Sequence, residues 1–172
     1  MIEISQLQKV VQQNIIIDIP ELTVAAGSIT AVAGLTTPHK ETFIQLLTGQ
    51  TTPTAGHVRL AELDPHQERT EFAQKVGFLP SENGLYERLT VRQNLEFYCG
   101  VYGVPKKARR DKIDWVLATC GLVGRENLIT GSLPGGWKQR VSFGASVMHE
   151  PDILFLDEPT SGVDPLARRQ FW

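Results

Sequence analysis

Cysteine is scarce in this chain: Cys99 and Cys120 are the two among 172 residues. That excludes a disulfide scaffold, and their separation fits no zinc motif, so each reads as a small core residue in a reducing cytoplasm. Long apolar runs are missing too. None approaches the roughly 20 residues of a membrane-spanning helix, and the opening MIEISQ lacks a secretory-signal pattern. Neither sign of charge dominates. Seventeen Lys and Arg stand against nineteen Asp and Glu, a net charge of −2. No global basic field favours nucleic acid or anionic membrane, and no nucleic-acid partner is expected. Internal repeats and low-complexity linkers are absent, and His57, His66 and His149 have no ligand-like company. What remains is an ordinary globular composition, 41% apolar and 21% charged, long enough for one domain with a real core.

The stretch Ala31–Thr42, AVAGLTTPHKET, reads as a strand running into a loop and then a helix. A phosphate-cradling loop follows the frame GxxxxGK[ST]. Gly34 and Lys40 keep that frame, while His39 stands at the second glycine and Glu41 at the hydroxyl.

The first part of the chain is β-rich. Strand-density apolar residues fill Glu3–Val11 and Asn14–Val24, with breaks expected at Pro20 and at Ala26-Gly27. Ser28–Ala33 reads as a strand entering the loop. A helix is expected from Thr42, with Phe43, Leu46 and Leu47 on one face and an end at Gly49. Short strands follow at His57–Leu60 and Val76–Leu79.

From Thr90 the pattern becomes helical. Thr90 and Gln93 form a capping box, and Val91, Leu95, Tyr98 and Tyr102 share a face. Lys106–Cys120 carries a buried stripe of Ile113, Val116, Leu117 and Cys120; its basic start reads as a solvated face. Trp137–His149 is a third helix, with Val141, Ala145 and Met148 inward. Asp152–Asp157, DILFLD, reads as a strand buried on both faces of a parallel sheet. Another helix is expected near Pro165. This order points to an α/β phosphate-loop core with an inserted helical subdomain.

Asp157-Glu158 follows that strand directly, where ligands bind in open α/β sheets. The first carboxylate can orient Mg²⁺ and the second can position or deprotonate water. The segment ILFLDEPTSGVDP resembles the Walker B and D-loop of ABC-type ATPases. Upstream, LPGGWKQRVSFGASVMHEPDILFLDEP resembles the family's signature helix, and VGFLPSENGLYERLTVRQNLEFYCGVYG its Q-loop and the start of its helical subdomain. LYERLTVRQNLEFY is especially similar to exporter ATPases.

The resemblance implies a P-loop NTPase (RecA-like) α/β core, with an N-terminal antiparallel β part and an inserted helical subdomain. Residues 1–81 would form the β-rich part and loop core, 82–140 the helical subdomain, and 141–172 the signature helix, Walker B and D-loop. The pattern stops before the strand carrying the family's switch histidine, which implies a C-terminally truncated domain. ATP and Mg²⁺ are the expected cofactors. In the family two domains close head to tail on ATP and drive integral membrane subunits from the cytoplasmic face of the membrane.

Position by position, the loop at the nucleotide comprises Gly34, Leu35, Thr36, Thr37, Pro38, His39, Lys40, Glu41 and Thr42. Pro134, Gly135, Gly136 and Asp164 are the remaining nucleotide-contact positions. Glu158 is the catalytic candidate, and Asp157 with Glu41 the metal candidates. Lys40 and Thr42 match the family. Thr37 and His39 replace loop glycines, Pro38 between them has no N–H to donate, and Glu41 replaces the Mg²⁺-binding hydroxyl. At ~4 Å and an effective dielectric of ~20, one added like-charge pair costs about 4 kcal/mol before screening. An empty loop, with Lys40 paired to Asp157 or Glu41, is the alternative. Val10-Val11 offers no aromatic ring to adenine, Ser81 replaces the Q-loop glutamine, and Pro134 replaces the signature serine. Leu85, Tyr86 and Arg92 match the groove for a membrane coupling helix, or simply pack.

The expected function is thus the nucleotide-binding domain of an exporter-type ABC transporter, with impaired ATP binding and hydrolysis in this half. A catalytically inactive structural or regulatory partner in a tandem or heterodimeric ATPase is the alternative, as is a non-transport ABC protein.

Overall fold

The computed structural model describes residues 1–34, 37–82 and 84–160. The chain divides into two compact units, Met1–Val76 and Gly77–Trp172. The helix expected near Pro165 lies outside the described residues.

In the first unit, β1 (Ile2–Val11), β2 (Asn14–Val24) and β3 (Ala55–Leu60) form an antiparallel sheet in the order β2-β1-β3. The β1–β2 hairpin turns on Gln12 and Gln13, both left-handed with φ of 48° and 66°. Such two-residue turns match the twist of the flanking strands, and glutamine takes them against its steric preference. Pro20 does not break β2, because β2 is an edge strand, where a missing N–H is tolerated. Between β1 and β3 the register shifts around Gln6 (φ 50°). There a Cβ on Gly56 would lie 2.1 Å from the Gln6 carbonyl oxygen, so only glycine fits.

Helix α1 (Thr37–Leu47) covers this sheet with Phe43, Leu46 and Leu47, which join Ile4, Leu7, Ile17, Val58 and Leu60 in a buried core. α1 starts five residues before the expected Thr42, and the short helix α2 (Arg69–Lys75) follows later. The expected strand Ser28–Ala33 is not formed. Residues 25–34 are irregular and exposed, with a turn at Ala26-Gly27, and Ile29 is fully solvated. A strand needs a neighbour for its N–H and C=O groups. β1 is already flanked on both edges, and no described strand pairs with this segment.

In the second unit, β4 (Val76–Leu79) and β5 (Ile153–Leu156) pair as a two-stranded sheet. Helices α3 (Val91–Val101), α4 (Lys106–Thr119) and α5 (Gly135–Val147) pack together, with a 3₁₀ turn at Thr130–Ser132. The capping box of Thr90 and Gln93 is formed in both directions. The core joins Val91, Leu95, Cys99, Ile113, Val116, Leu117 and Cys120 to Val141, Ala145 and Met148. Both cysteines are buried and unbridged. β5 is not buried on both faces as its apolar run predicts: its residues are partly exposed, Leu154 to 37%. Its one described strand neighbour is β4, so the far edge and part of its faces remain open.

Candidate functional site

The loop candidates belong to the first unit. Gly34 ends the irregular segment, and Leu35 and Thr36 lie outside the described residues. Thr37 opens α1, with Pro38 as its second residue. A helix start presents four N–H groups without intrahelical partners, a ready anion site. Pro38 subtracts one of them. Lys40 is half-buried, and its aliphatic stem folds back over Gly34: a Cβ there would lie 3.2 Å from the lysine Cγ. Glycine at 34 therefore lets Lys40 lie along the loop, which fits a lysine reaching a phosphate. Glu41, one residue on, is exposed and accepts a hydrogen bond from Gln45 Nε2 at 3.2 Å. That bond holds the carboxylate on the helix flank. Thr42 is half-buried behind it, and Val11, near the expected adenine contact, is exposed.

The second unit holds the other candidates. The Asp157 N–H donates to the Leu79 carbonyl at 2.9 Å, extending the β4–β5 pairing one residue beyond β5. This places the half-buried Asp157 at the end of the strand. Glu158 follows with φ of 48° and an exposed side chain. A left-handed non-glycine residue costs about 1–3 kcal/mol and marks functional positions often enough to be informative. Asp164 lies outside the described residues. Ser81, the Q-loop candidate, is exposed just after Pro80.

Helix α5 begins at Gly135 after Pro134, whose φ of −56° and ψ of 152° suit a helix entry. No side chain caps it. The Trp137 and Lys138 N–H groups instead donate to the Pro134 carbonyl at 2.9 and 3.1 Å. Gly135 is exposed and Gly136 half-buried, so backbone approach to this helix start stays open. The Trp137 ring lies under the Arg125 guanidinium at 3.8 Å, with that of Arg140 at 5.1 Å. Lys138 donates to the Glu87 carboxylate at 2.9 Å and holds its pKa below the ordinary carboxylate value. These contacts fix the start of α5 through residues that motif reading passed over: Arg125, Glu87 and Lys138. An aromatic and a lysine in the helix's first turn, met by an arginine and a carboxylate from earlier loops, are the signal that was available.

Among the described residues no group of three His, Cys, Asp or Glu could hold a metal ion by itself. Also among the described residues, no helix is long and apolar enough to cross a membrane.

The first unit thus offers α1 behind an irregular loop, and the second Asp157 at a strand end and a diglycine helix start. Residues 17–161 match the family model described as ABC transporter, and the chain belongs to that family. It is 39% identical over all 172 residues to the probable multidrug ABC transporter ATP-binding protein YbhF of Escherichia coli K12. It spans about 30% of that relative's length. A solved ATP-binding subunit of an ABC transporter shares the fold with a TM-score of 0.87 at 23% identity, covering 98% of this chain and 70% of the other. The ATP-binding cassette MJ0796, solved as a dimer in a post-hydrolysis state with ADP and Pi, gives 0.84 at 21% identity, covering 99% and 79%. These structural likenesses establish the fold, a mixed α/β ABC ATPase domain.

Proposed function

We propose that this chain is the ATP-binding part of an ABC exporter whose own nucleotide site binds MgATP weakly and turns it over negligibly. The observation that carries the reading is the start of α1. Lys40 is laid back over Gly34 as a phosphate-binding lysine requires, but Pro38 removes a donor and Glu41 adds a carboxylate in the same turn. In this reading Lys40 and Thr42, with Gly34, Leu35, Thr36, Thr37, Pro38 and His39, surround the phosphates. Asp157 and Glu41 are the residues assigned to Mg²⁺, and Glu158 orients water. Bound Mg²⁺ would polarise the terminal phosphate. Pro134, Gly135, Gly136 and Asp164 face the nucleotide of a second ABC domain docked head to tail. Integral membrane subunits would be the other partners, with the domain peripheral on the inner face of the cell membrane and Leu85, Tyr86 and Arg92 toward the coupling helix.

Calorimetric titration with MgATP tests this. No saturation is expected below about 1 mM, an affinity near −4 kcal/mol. Micromolar binding, or steady turnover abolished by Lys40→Ala, sinks the reading.

A second reading, a purely structural or regulatory half, is favoured by where the intact interactions lie. The capping box at Thr90 and the buried core of α3–α5 are complete, whereas the departures from the family pattern fall on ligand contacts. Co-expression with an intact ATPase half tests it: the reading survives if Glu158→Gln here leaves turnover of the pair unaltered while the equivalent change in the partner abolishes it.

A further inference from the structure

The basic start of α4, KKARRDK, is not one uniform solvated face. Lys106, Arg109 and Arg110 recur at helical one-face spacing and line an open groove against α3, which contributes Arg92 and Glu96. Lys112 instead turns to another side of the helix, where its ammonium meets Glu150 at 2.8 Å. The groove has a volume of about 560 Å³ and an apolar element in Ile113.

Its charge is unbalanced. Four cations line it against two carboxylates, Glu96 and Asp114. Asp114 is committed to Arg92 at 3.2 Å and approaches Arg110 only to 3.9 Å. Arg109 spends its Nε–H on the Val104 carbonyl at 3.0 Å, which steadies the guanidinium at the groove's end. Lys106 has no ion pair among the described residues, and the first turn of α4 carries no acidic residue. The positive end of the helix dipole thus adds to the excess.

We propose that this groove docks an acidic segment of a partner polypeptide, with its carboxylates on Lys106, Arg109 and Arg110. Guanidinium groups match carboxylates in plane and in hydrogen-bond spacing. The two carboxylates among the four cations weaken the attraction to a uniformly anionic lipid surface. Glu96 and Asp114, set among the cations, repel the dense phosphates of a nucleic acid but can face a basic or amide group of a peptide. The inference does not depend on nucleotide binding.

Fluorescence anisotropy on the full 172-residue chain tests it, using a fluorescein-labelled peptide of alternating glutamate and leucine. Parallel titrations use phosphatidylglycerol vesicles and a single-stranded oligonucleotide. Saturable peptide binding is expected, weakened about tenfold or more by the double change Lys106→Glu and Arg110→Glu. Those two side chains make no buried contact, so the fold should survive, as an unchanged thermal midpoint would verify. Lys75→Glu on α2 should leave binding unchanged. The proposal is overturned if the peptide does not saturate, if the double change has no effect, if Lys75→Glu weakens binding equally, or if vesicles or oligonucleotide bind more tightly than the peptide.

Discussion

Asn94 Nδ2 donates to the Thr130 hydroxyl at 2.9 Å, and both residues are fully buried. The same amide also donates to the carbonyls of Tyr86 (3.0 Å) and Thr90 (3.1 Å), while its Oδ1 accepts the Tyr86 N–H at 2.8 Å. One side chain thereby ties α3 to the loop before it and to the turn that leads into α5. An Asn94→Ala chain leaves the buried Thr130 hydroxyl and the part-buried Tyr86 N–H each with a lost partner. An unpaired buried polar group costs about 1–3 kcal/mol, so urea denaturation should show a loss in that range. Thr130→Val removes a single bond and should cost less. Equal, negligible effects of both changes would mean that water replaces the amide.

Gly144 marks where α4 and α5 approach most tightly. A Cβ placed there would lie 2.3 Å from Val116 Cγ1 and 3.1 Å from Cys120 Sγ. Gly144→Ala must push the helices apart, at about 1–3 kcal/mol for overpacking. Adding Val116→Ala should recover part of that loss, a positive coupling readable in a double-mutant cycle. Strict additivity of the two changes would refute the contact as the cause.

Two buried acids set an alkaline limit. Burial pushes the Cys120 thiol from 9 up to about 11 and the Tyr102 hydroxyl from 10 up to about 12. Both folded values are raised, so both groups resist ionisation more in the folded chain than in the unfolded one. Stability is then fully present below the ordinary values and declines as pH rises through them toward about 11 and about 12. Urea midpoints measured across this window should fall with pH. Cys120→Ala and Tyr102→Phe should each flatten the slope, and a parent chain with a flat profile would contradict the assignment.

The helical half was legible because its signals are local. Thr90 and Gln93 are three residues apart, and the stripe Ile113, Val116, Leu117, Cys120 needs only the period of its own helix. The misreadings fall where the outcome depends on distant partners. Ser28–Ala33 has strand composition but no described neighbour to pair with, and β5 has an apolar run but one described neighbour. α1 starts at Thr37 rather than Thr42 because proline is tolerated in a first helical turn. The motif residues could be placed by spacing alone. The fold-back of Lys40 over Gly34, the left-handed Glu158 and the Asn94 knot could not, since each depends on backbone geometry or on a partner beyond the local pattern.

If the start of α1 is what limits nucleotide binding, repairing it should restore binding. The changes Thr37→Gly, Pro38→Ser, His39→Gly and Glu41→Ser return a full set of backbone donors, close backbone approach and a hydroxyl for Mg²⁺. They leave untouched Gly34 and the Lys40 stem that lies against it. Removing Glu41 matters most, because its carboxylate opposes the charge that Lys40 is placed to attract. The repaired chain should bind MgATP at least about tenfold more tightly, which corresponds to about 1.4 kcal/mol. Lys40→Ala in the repaired background should abolish the gain, while Glu158→Gln should leave it intact, since that side chain is exposed beyond β5 and is assigned to water rather than to binding. Titration calorimetry with MgATP reads all three outcomes. A repaired chain that binds no better than the parent would move the defect away from α1, to Val10-Val11 and Ser81, where neither an adenine-stacking ring nor the Q-loop carboxamide is available.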